Sequence, residues 1–158
     1  MSEPTRPVGA AAASAAPASA EGKSAAPFLE VRDLWKVFQM GPKRIEVLKE
    51  LNWSLERGAL ASVVGTSGVG KSTLLQVLGT LDAPSRGSIS FDGVEVTKMS
   101  ASELARFRNS SIGFVFQFHH LLPEFSAEEN VAMPPLIRRI DRREALRRAR
   151  EVLDWVGL

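Results

Sequence analysis

"GTSGVGKST", residues 65–73, is the stretch that decides the fold of this chain. It has the pattern G-x-x-x-x-G-K-[ST], in which the last two positions are Lys71 and Ser72. Glycines allow a turn with positive φ and let main-chain amides come close to an anion. A helix that begins near Gly70 adds its N-terminal amides and the positive end of its dipole. The stretch therefore predicts a phosphate-binding loop, the Walker A motif.

The alternative is a glycine turn that precedes a lysine by chance. The residues around the loop favour a phosphate-binding loop instead. The apolar run 59–64 is typical of a strand buried on both faces, and residues 71–81 are typical of a helix. In such a loop the lysine ammonium binds the outer phosphates, and the serine hydroxyl can ligate Mg²⁺. The residues predicted to bind the nucleotide are Gly65, Thr66, Ser67, Gly68, Val69, Gly70, Lys71, Ser72 and Thr73.

Upstream of the loop, alternating apolar and polar residues predict an antiparallel hairpin. Residues 28–38 and 44–55 read as its strands, and 39–43 as the turn. Downstream, we expect a short strand at 87–93 and another strand at 112–118.

Capping-box spacing predicts three further helices. We expect the second of them to end at Pro134 and Pro135, because proline lacks the amide that a helix interior needs. In the third helix one face would carry Leu146, Ala149, Leu153 and Val156. The capping pairs are Ser100 with Glu103, Ser126 with Glu129, and Asp141 with Glu144.

Composition limits the function classes. The chain has 158 residues, 44% hydrophobic, with a net charge of +2 and no cysteine. This charge is too small to favour nucleic acid as a partner, and no apolar run is long enough to span a bilayer. Residues 1–27 are rich in alanine, proline and serine and predict a disordered tail rather than a secretory signal. The arginine-rich helix expected at 141–156 predicts a solvated face; attraction to anionic headgroups is the alternative.

From Phe28 onwards the order of features resembles the ATP-binding subunit of an ABC transporter. An aromatic residue, Phe38, precedes the phosphate loop, and Gln117 follows at the end of an expected strand. The resemblance implies an α/β fold of the P-loop NTPase class. Residues 28–158 would form the N-terminal portion of an ABC ATPase domain, with its antiparallel β layer and the start of its helical subdomain. It also implies ATP and Mg²⁺ as cofactors.

In that family the aromatic residue stacks on adenine, and the glutamine touches the metal and the attacking water. Phe38 corresponds to the aromatic residue that stacks on adenine; the alternative is that it is a buried strand residue. Gln117 corresponds to the glutamine that touches the metal and the attacking water; the alternative is that it is a polar residue capping a strand end. The resemblance thus makes Lys71 and Gln117 the expected catalytic residues, and Ser72 and Gln117 the expected metal ligands.

Residues 115–134, VFQFHHLLPEFSAEENVAMP, resemble most closely the ATPase subunits of lipoprotein-releasing transporters (LolD type). This implies a peripheral subunit on the cytoplasmic face of the inner membrane, whose ATP hydrolysis powers lipoprotein release towards the outer membrane. Its implied partners are transmembrane subunits and a second copy of the ATPase subunit. The alternatives are an ATPase of the macrolide-exporter type and a truncated subunit that binds nucleotide without hydrolysis.

The same segment contains both histidines of the chain. They are adjacent, so an extended backbone points them to opposite sides, and no cysteine or third histidine completes a zinc site. Leu121 and Leu122 alone would suit a core, but the whole aromatic group suits a docking surface. The expected contacts with the membrane subunits are Phe118, His119, His120, Leu121, Leu122 and Phe125.

After the glutamine, the chain departs from the pattern of this family. Residues 118–158 contain no Ser/Gly-rich signature loop, no apolar strand ending in Asp-Glu (Walker B) and no switch histidine. We therefore expect an N-terminal part of a longer protein, which alone hydrolyses ATP poorly. The alternative of another class is a nucleotide kinase with the arginines of 142–150 as its lid; measuring phosphate release against phosphate transfer separates the two.

Overall fold

The structure is a computed structural model that describes residues 26–158. Two compact units divide after Ser100. The expected disordered tail, residues 1–27, lies almost wholly outside the described residues.

The first unit contains a four-stranded sheet and one helix. The sheet order is β2-β1-β3-β4, and every pairing is antiparallel. The predicted hairpin is confirmed, and the predicted strand at 87–93 corresponds to β3 and the turn after it. The elements are β1 (Leu29–Met40), β2 (Lys43–Leu55), α1 (Lys71–Leu78), β3 (Arg86–Phe91) and β4 (Val94–Glu95), followed by a 3-10 turn, Val96–Lys98.

One face of this sheet and one face of α1 supply the core. Period-two alternation in β1 and β3 and helical spacing in α1 place large aliphatic side chains inward. Removing such side chains from water is the main stabilising term of a unit of this size. The most deeply buried of them are Val31, Leu34, Leu74, Val77 and Ile89.

Two residues with left-handed backbone interrupt the hairpin, and one side chain fixes both. Asp33 has φ 46 and Glu50 has φ 46, and the strand register shifts beside each of them. Asn52 accepts a hydrogen bond from the Asp33 amide at 2.9 Å and donates one to the Glu50 carbonyl at 3.0 Å. The irregular hairpin is therefore specified by a side-chain amide, which alternation alone does not reveal.

The prediction of strands at 59–64 and 112–118 is wrong; both segments lie within the described residues. Neither segment is assigned to a strand, and Leu60 and Val115 are fully exposed. A strand forms by hydrogen bonding to a neighbour and by covering its apolar faces. In each unit the described residues supply no such neighbour for these segments.

The second unit contains three helices: α2 (Ala101–Ser111), α3 (Ala127–Ile137) and α4 (Arg142–Trp155). The capping box at the start of α3 is confirmed: the Ser126 hydroxyl accepts from the Glu129 amide, and the Glu129 carboxylate accepts from the Ser126 amide. Asp141 caps α4 by accepting from two amides of its first turn.

The expectation that α3 ends at its prolines is wrong, because the helix passes through Pro134 and Pro135. Proline φ suits a helix, and the cost is the loss of two amide donors. Packing against α4 favours continuation: Ala132 is fully buried in one cluster with Ala145 and Ala149. The helix therefore continues to Ile137.

Helix α4 follows its prediction in part. Ala149 is buried and Leu146 packs beside it, whereas Val156 lies beyond the helix and is exposed. The outer face is charged, and its arginines pair with glutamates within reach, so the solvated interpretation of the arginine-rich segment holds for most of α4. These pairs are Arg142–Glu129, Arg147–Glu144, Arg147–Glu151, Arg148–Glu144 and Arg150–Glu128.

Glu144 provides a pH test of this helix. Hydrogen bonds from Arg147 and then Arg148 lower the pKa of Glu144 from 4.5 to about 2. Since the folded pKa lies below the unfolded one, the stabilisation is complete above pH 4.5 and is lost as pH falls towards 2. We expect Glu144→Gln to lower the free energy of unfolding at pH 7 and to match the parent near pH 2, in denaturant titrations followed by circular dichroism. Glu124→Gln is the control; an equal effect of both variants at pH 7 contradicts the prediction.

Candidate nucleotide-binding site

The loop 65–70 enters α1 through a contact that only glycine permits. Gly70 is the N-cap of α1 with φ 108, a region that residues with a side chain rarely adopt. A Cβ at this position would lie 2.7 Å from Val47 Cγ1 and 3.3 Å from the Val47 carbonyl oxygen. The loop main chain therefore lies directly against β2 at the second glycine of the motif pattern, without space for a side chain.

Val47 is brought to this position by a bulge in β2. Lys36 pairs with Leu48, but the next residue of β1, Val37, pairs with Glu46, so Val47 is the extra residue. A bulge redirects a side chain and bends its strand. The hairpin and the loop are thus fitted to each other at one irregular point.

The amino group of Lys71 lies over the loop. It donates hydrogen bonds to the carbonyl oxygens of Gly65 and Thr66, both at 2.8 Å. The Val69 amide donates to the Thr66 carbonyl at 3.4 Å and closes the turn inside the loop. A positive charge is therefore already held at the loop by main-chain acceptors.

The first turn of α1 supplies no anion of its own to its N-terminal amides. The helix has no side-chain cap and no acidic residue in its first turn, unlike α3 and α4. Ser72 is exposed in that first turn. The first-turn amides, the helix dipole, the Lys71 ammonium and a hydroxyl can therefore act together on an anion, and the hydroxyl can also ligate a cation.

Phe38 lies on the same hairpin and is not a core residue. Its side chain is 37% exposed, and it pairs across the hairpin with Ile45, two residues before the bulged Val47. Lys36 Nζ lies 4.9 Å from the centre of the Phe38 ring. The alternative of a buried strand residue does not fit this exposure.

The ammonium beside Phe38 is fixed by the segment after α1. Lys36 is buried, and its Nζ donates to Asp82 Oδ1 at 2.6 Å and to the Ala83 carbonyl at 2.7 Å. The Ser85 amide donates to the Trp35 carbonyl at 2.8 Å. The C-terminal side of α1 is therefore attached to β1, just as its N-terminal side contacts β2.

Gln117 belongs to the second unit and lies in a bend with its side chain exposed. The segment after it is also exposed, so Leu121 and Leu122 are not core residues. Phe116 stacks on Phe114 with centroids 5.3 Å apart and meets the His120 ring edge to face at 5.0 Å. The exposed phenylalanines and leucines of residues 116–125, which we call the aromatic patch, are Phe116, Phe118, Leu121, Leu122 and Phe125.

Asn130 holds the backbone of this patch, and sequence reasoning missed it. Its Oδ1 accepts from the Leu122 amide at 2.9 Å, and its Nδ2 donates to the carbonyls of Leu122, Phe125 and Ser126 at 3.0–3.1 Å. The signal in the sequence was an asparagine inside a predicted helix, directly after the capping Glu129, where this residue type is disfavoured. The patch is thus an ordered loop anchored on α3.

Two further features of the described residues concern membrane-spanning helices and clusters of metal-ligating side chains. No helix among residues 26–158 is long and apolar enough to cross a membrane. No group of three His, Cys, Asp or Glu side chains suited to a metal ion occurs in the same range.

Comparison with known proteins identifies curated relatives of this chain. Two curated relatives are lipoprotein-releasing system ATP-binding proteins LolD. The one from Bordetella pertussis (strain Tohama I) is 52% identical over 138 residues, 87% of this chain and 60% of the relative. The one from Myxococcus xanthus (strain DK1622) is 54% identical over 130 residues, 82% of this chain and 58% of the relative. The chain thus spans about 60% of the length of these relatives.

Similarity to a solved structure shows the fold of the chain, and a match to a family model shows its family. The dimeric post-hydrolysis structure of the ATP-binding cassette MJ0796, bound to ADP and Pi, matches with a TM-score of 0.75 and 34% identity, over 82% of this chain and 57% of that one. The fold is therefore that of the N-terminal portion of an ABC cassette, as the sequence predicted. The ABC transporter family model matches residues 48–158. The chain belongs to the ABC transporter ATP-binding family, and its relatives are of the LolD type.

Proposed function

We propose that residues 65–73 bind the phosphates of ATP, as part of the ATP-hydrolysing subunit of a transporter. The observation that carries this proposal is the uncapped start of α1, which is pressed against Val47 so closely that its N-cap has no space for a side chain. Amides exposed in this way lack acceptors, and a polyphosphate supplies them. The residues that would hold the nucleotide are Gly65, Thr66, Ser67, Gly68, Val69, Gly70, Lys71, Ser72 and Thr73.

Mg²⁺ is the cation that we propose for this site. The exposed Ser72 hydroxyl is a hard oxygen ligand of the kind that this ion prefers. In the same proposal the exposed Gln117 of the second unit would contribute its amide oxygen. Mg²⁺ when bound neutralises phosphate charge. Lys71 exchanges its two carbonyl partners for phosphate oxygens, which makes it the catalytic cation of the loop, and Gln117 orients the attacking water.

Phe38 supplies the surface for the adenine ring in this proposal. It is exposed, and its strand partner lies two residues from the Val47 that contacts the loop. Stacking of a base on an aromatic ring contributes about 1–3 kcal/mol. The buried Lys36 holds the ring in place from its side.

The transporter proposed for this ATPase releases lipoproteins. The curated relatives from several organisms are named for a lipoprotein-releasing system, so the macrolide-exporter alternative is less well supported. The subunit would be peripheral, at the cytoplasmic face of the inner membrane. Hydrolysis requires the remaining cassette elements, and we expect residues 1–158 alone to bind ATP with little turnover.

Two partners follow from this role. MJ0796 is dimeric in its solved structure, which supports a second copy of the ATPase subunit. For the transmembrane subunits we propose the aromatic patch together with His119 and His120. The exposure of Phe118 is 68% and that of Leu121 is 61%, which is costly in water unless another surface covers them.

Substitution of Lys71 tests the nucleotide site. We expect Lys71→Ala to weaken Mg-ATP binding about tenfold or more, because a charge-assisted contact with phosphate is lost. The measurement is isothermal titration calorimetry with Mg-ATP. Lys43→Ala, at the hairpin turn, removes the same charge from the same unit and is the control. Equal affinities of the two variants would exclude the loop as the binding site.

Substitution in the aromatic patch tests partner binding. We expect Phe118→Ala with Phe125→Ala to abolish co-purification with the transmembrane subunits and to leave ATP affinity within about twofold, because apolar contact area is lost without any change at the loop. Trp155→Ala, another exposed aromatic residue of the same unit, is the control. Normal co-purification of the double variant refutes this contact surface.

Substitution of Asn130 tests whether an ordered backbone is needed. Asn130→Ala leaves every patch side chain in place but removes the acceptor of the Leu122 amide. We expect faster hydrogen exchange of that amide and weaker co-purification. Unchanged exchange at Leu122 would contradict the role of Asn130 as an anchor.

A further inference from the structure

A cavity in the second unit has no place in the function proposed above. It lies between α2 and the end of α3 with the turn that follows, and its volume is about 790 Å³. This volume is within the range of small-molecule sites. The residues that line it are Ala105, Arg106, Asn109, Ser110, Ile137, Arg138 and Arg139.

The charge of this cavity is of one sign. Arg106, Arg138 and Arg139 contribute three guanidinium groups, and the lining contains no aspartate or glutamate. Among the described residues no carboxylate forms an ion pair with any of the three. Most arginines of the neighbouring α4 have glutamate partners instead. An anion bound at this surface would therefore interact with three positive charges that no carboxylate of the described residues neutralises.

Arg139 occupies a backbone position that favours glycine. Its amide donates to the Leu136 carbonyl at 2.9 Å, and the Ile140 amide donates to the Pro135 carbonyl at 3.1 Å. These two bonds form a Schellman motif, whose left-handed residue is Arg139 with φ 62. Glycine adopts this conformation without cost, whereas arginine does not. The fold therefore keeps a cation at the cavity where a glycine would stabilise the helix end better.

We propose that this cavity binds a phosphate ester. Guanidinium groups match phosphate oxygens in planar, two-bond geometry, which is why arginine is the residue type that such a site uses. Arg106 already donates from Nε to the Ser102 carbonyl at 3.3 Å, so it would bind the phosphate through its two terminal nitrogens. Ile137, 64% exposed, and Ala105 give the cavity an apolar side for the organic part of the ester. The ester can be a lipid headgroup or a soluble metabolite, and both present the same chemistry. This inference is independent of the nucleotide site.

The test uses the Lys71→Ala background, in which phosphate binding by the loop is weakened. The soluble probe is sn-glycerol 3-phosphate, titrated by calorimetry. The membrane probes are phosphatidylglycerol vesicles, with phosphatidylcholine vesicles for comparison, in a flotation assay. Binding of the soluble probe identifies a free ester as a sufficient ligand; binding of phosphatidylglycerol vesicles alone identifies a headgroup.

Two variants decide whether the cavity is responsible. We expect Arg138→Gln to weaken binding of the active probe about tenfold, and Arg143→Gln, an exposed arginine outside the cavity, to change it less than about twofold. Arg139→Gly should weaken binding by a similar factor while raising Tm by roughly 4 °C, since it relieves the left-handed strain. This opposite change also shows that the variant is folded. Failure of both probes to bind, or equal weakening by Arg138→Gln and Arg143→Gln, overturns the proposal.

Discussion

The contact between Gly70 and the bulged Val47 is the constraint on which the first unit depends. A Cβ at residue 70 would meet Val47 Cγ1 at 2.7 Å, so the phosphate loop has one position against β2. At the other end of α1, Lys36 bonds Asp82 and Ala83 and fixes the helix on β1. A short helix of eight residues is thereby attached to the hairpin at both ends. Its N-terminal amides are therefore held in place by the fold itself, and a fixed set of donors loses less entropy on binding an anion than a mobile set does.

Local signals allowed much of this fold to be predicted. The hairpin, α1 and the capped starts of α3 and α4 follow from alternation, helical spacing and capping residues, which act within a few residues. The glycine at the start of α1 follows from a motif whose residue types are fixed by sterics and charge, whereas phosphate binding by residues 65–73 stays a prediction. The position of Phe38 opposite Ile45, two residues before the bulged Val47, could not be predicted from alternation. A bulge changes which residues of the two strands lie opposite each other.

The rest could not be predicted because it depends on partners distant in sequence. Pro134 and Pro135 stay helical because Ala132 packs against α4, and packing outweighs a local preference. Residues 59–64 have a strand composition but no neighbour to pair with among the described residues. Asn130 and Asn52 each satisfy main-chain groups of a separate loop or strand, and no periodic pattern indicates such bonds.

The unpaired segments 59–64 and 112–116 have a consequence for how the polypeptide behaves in concentrated solution. Leu60 and Val115 are fully exposed, and Val64 is 61% exposed. The main chain of these segments is not part of a β-sheet. Such stretches recruit matching stretches of other molecules, in the manner of sheet edges in aggregates. Loss of material in concentrated samples would then begin by self-association of folded molecules, and it would increase with protein concentration without any prior unfolding.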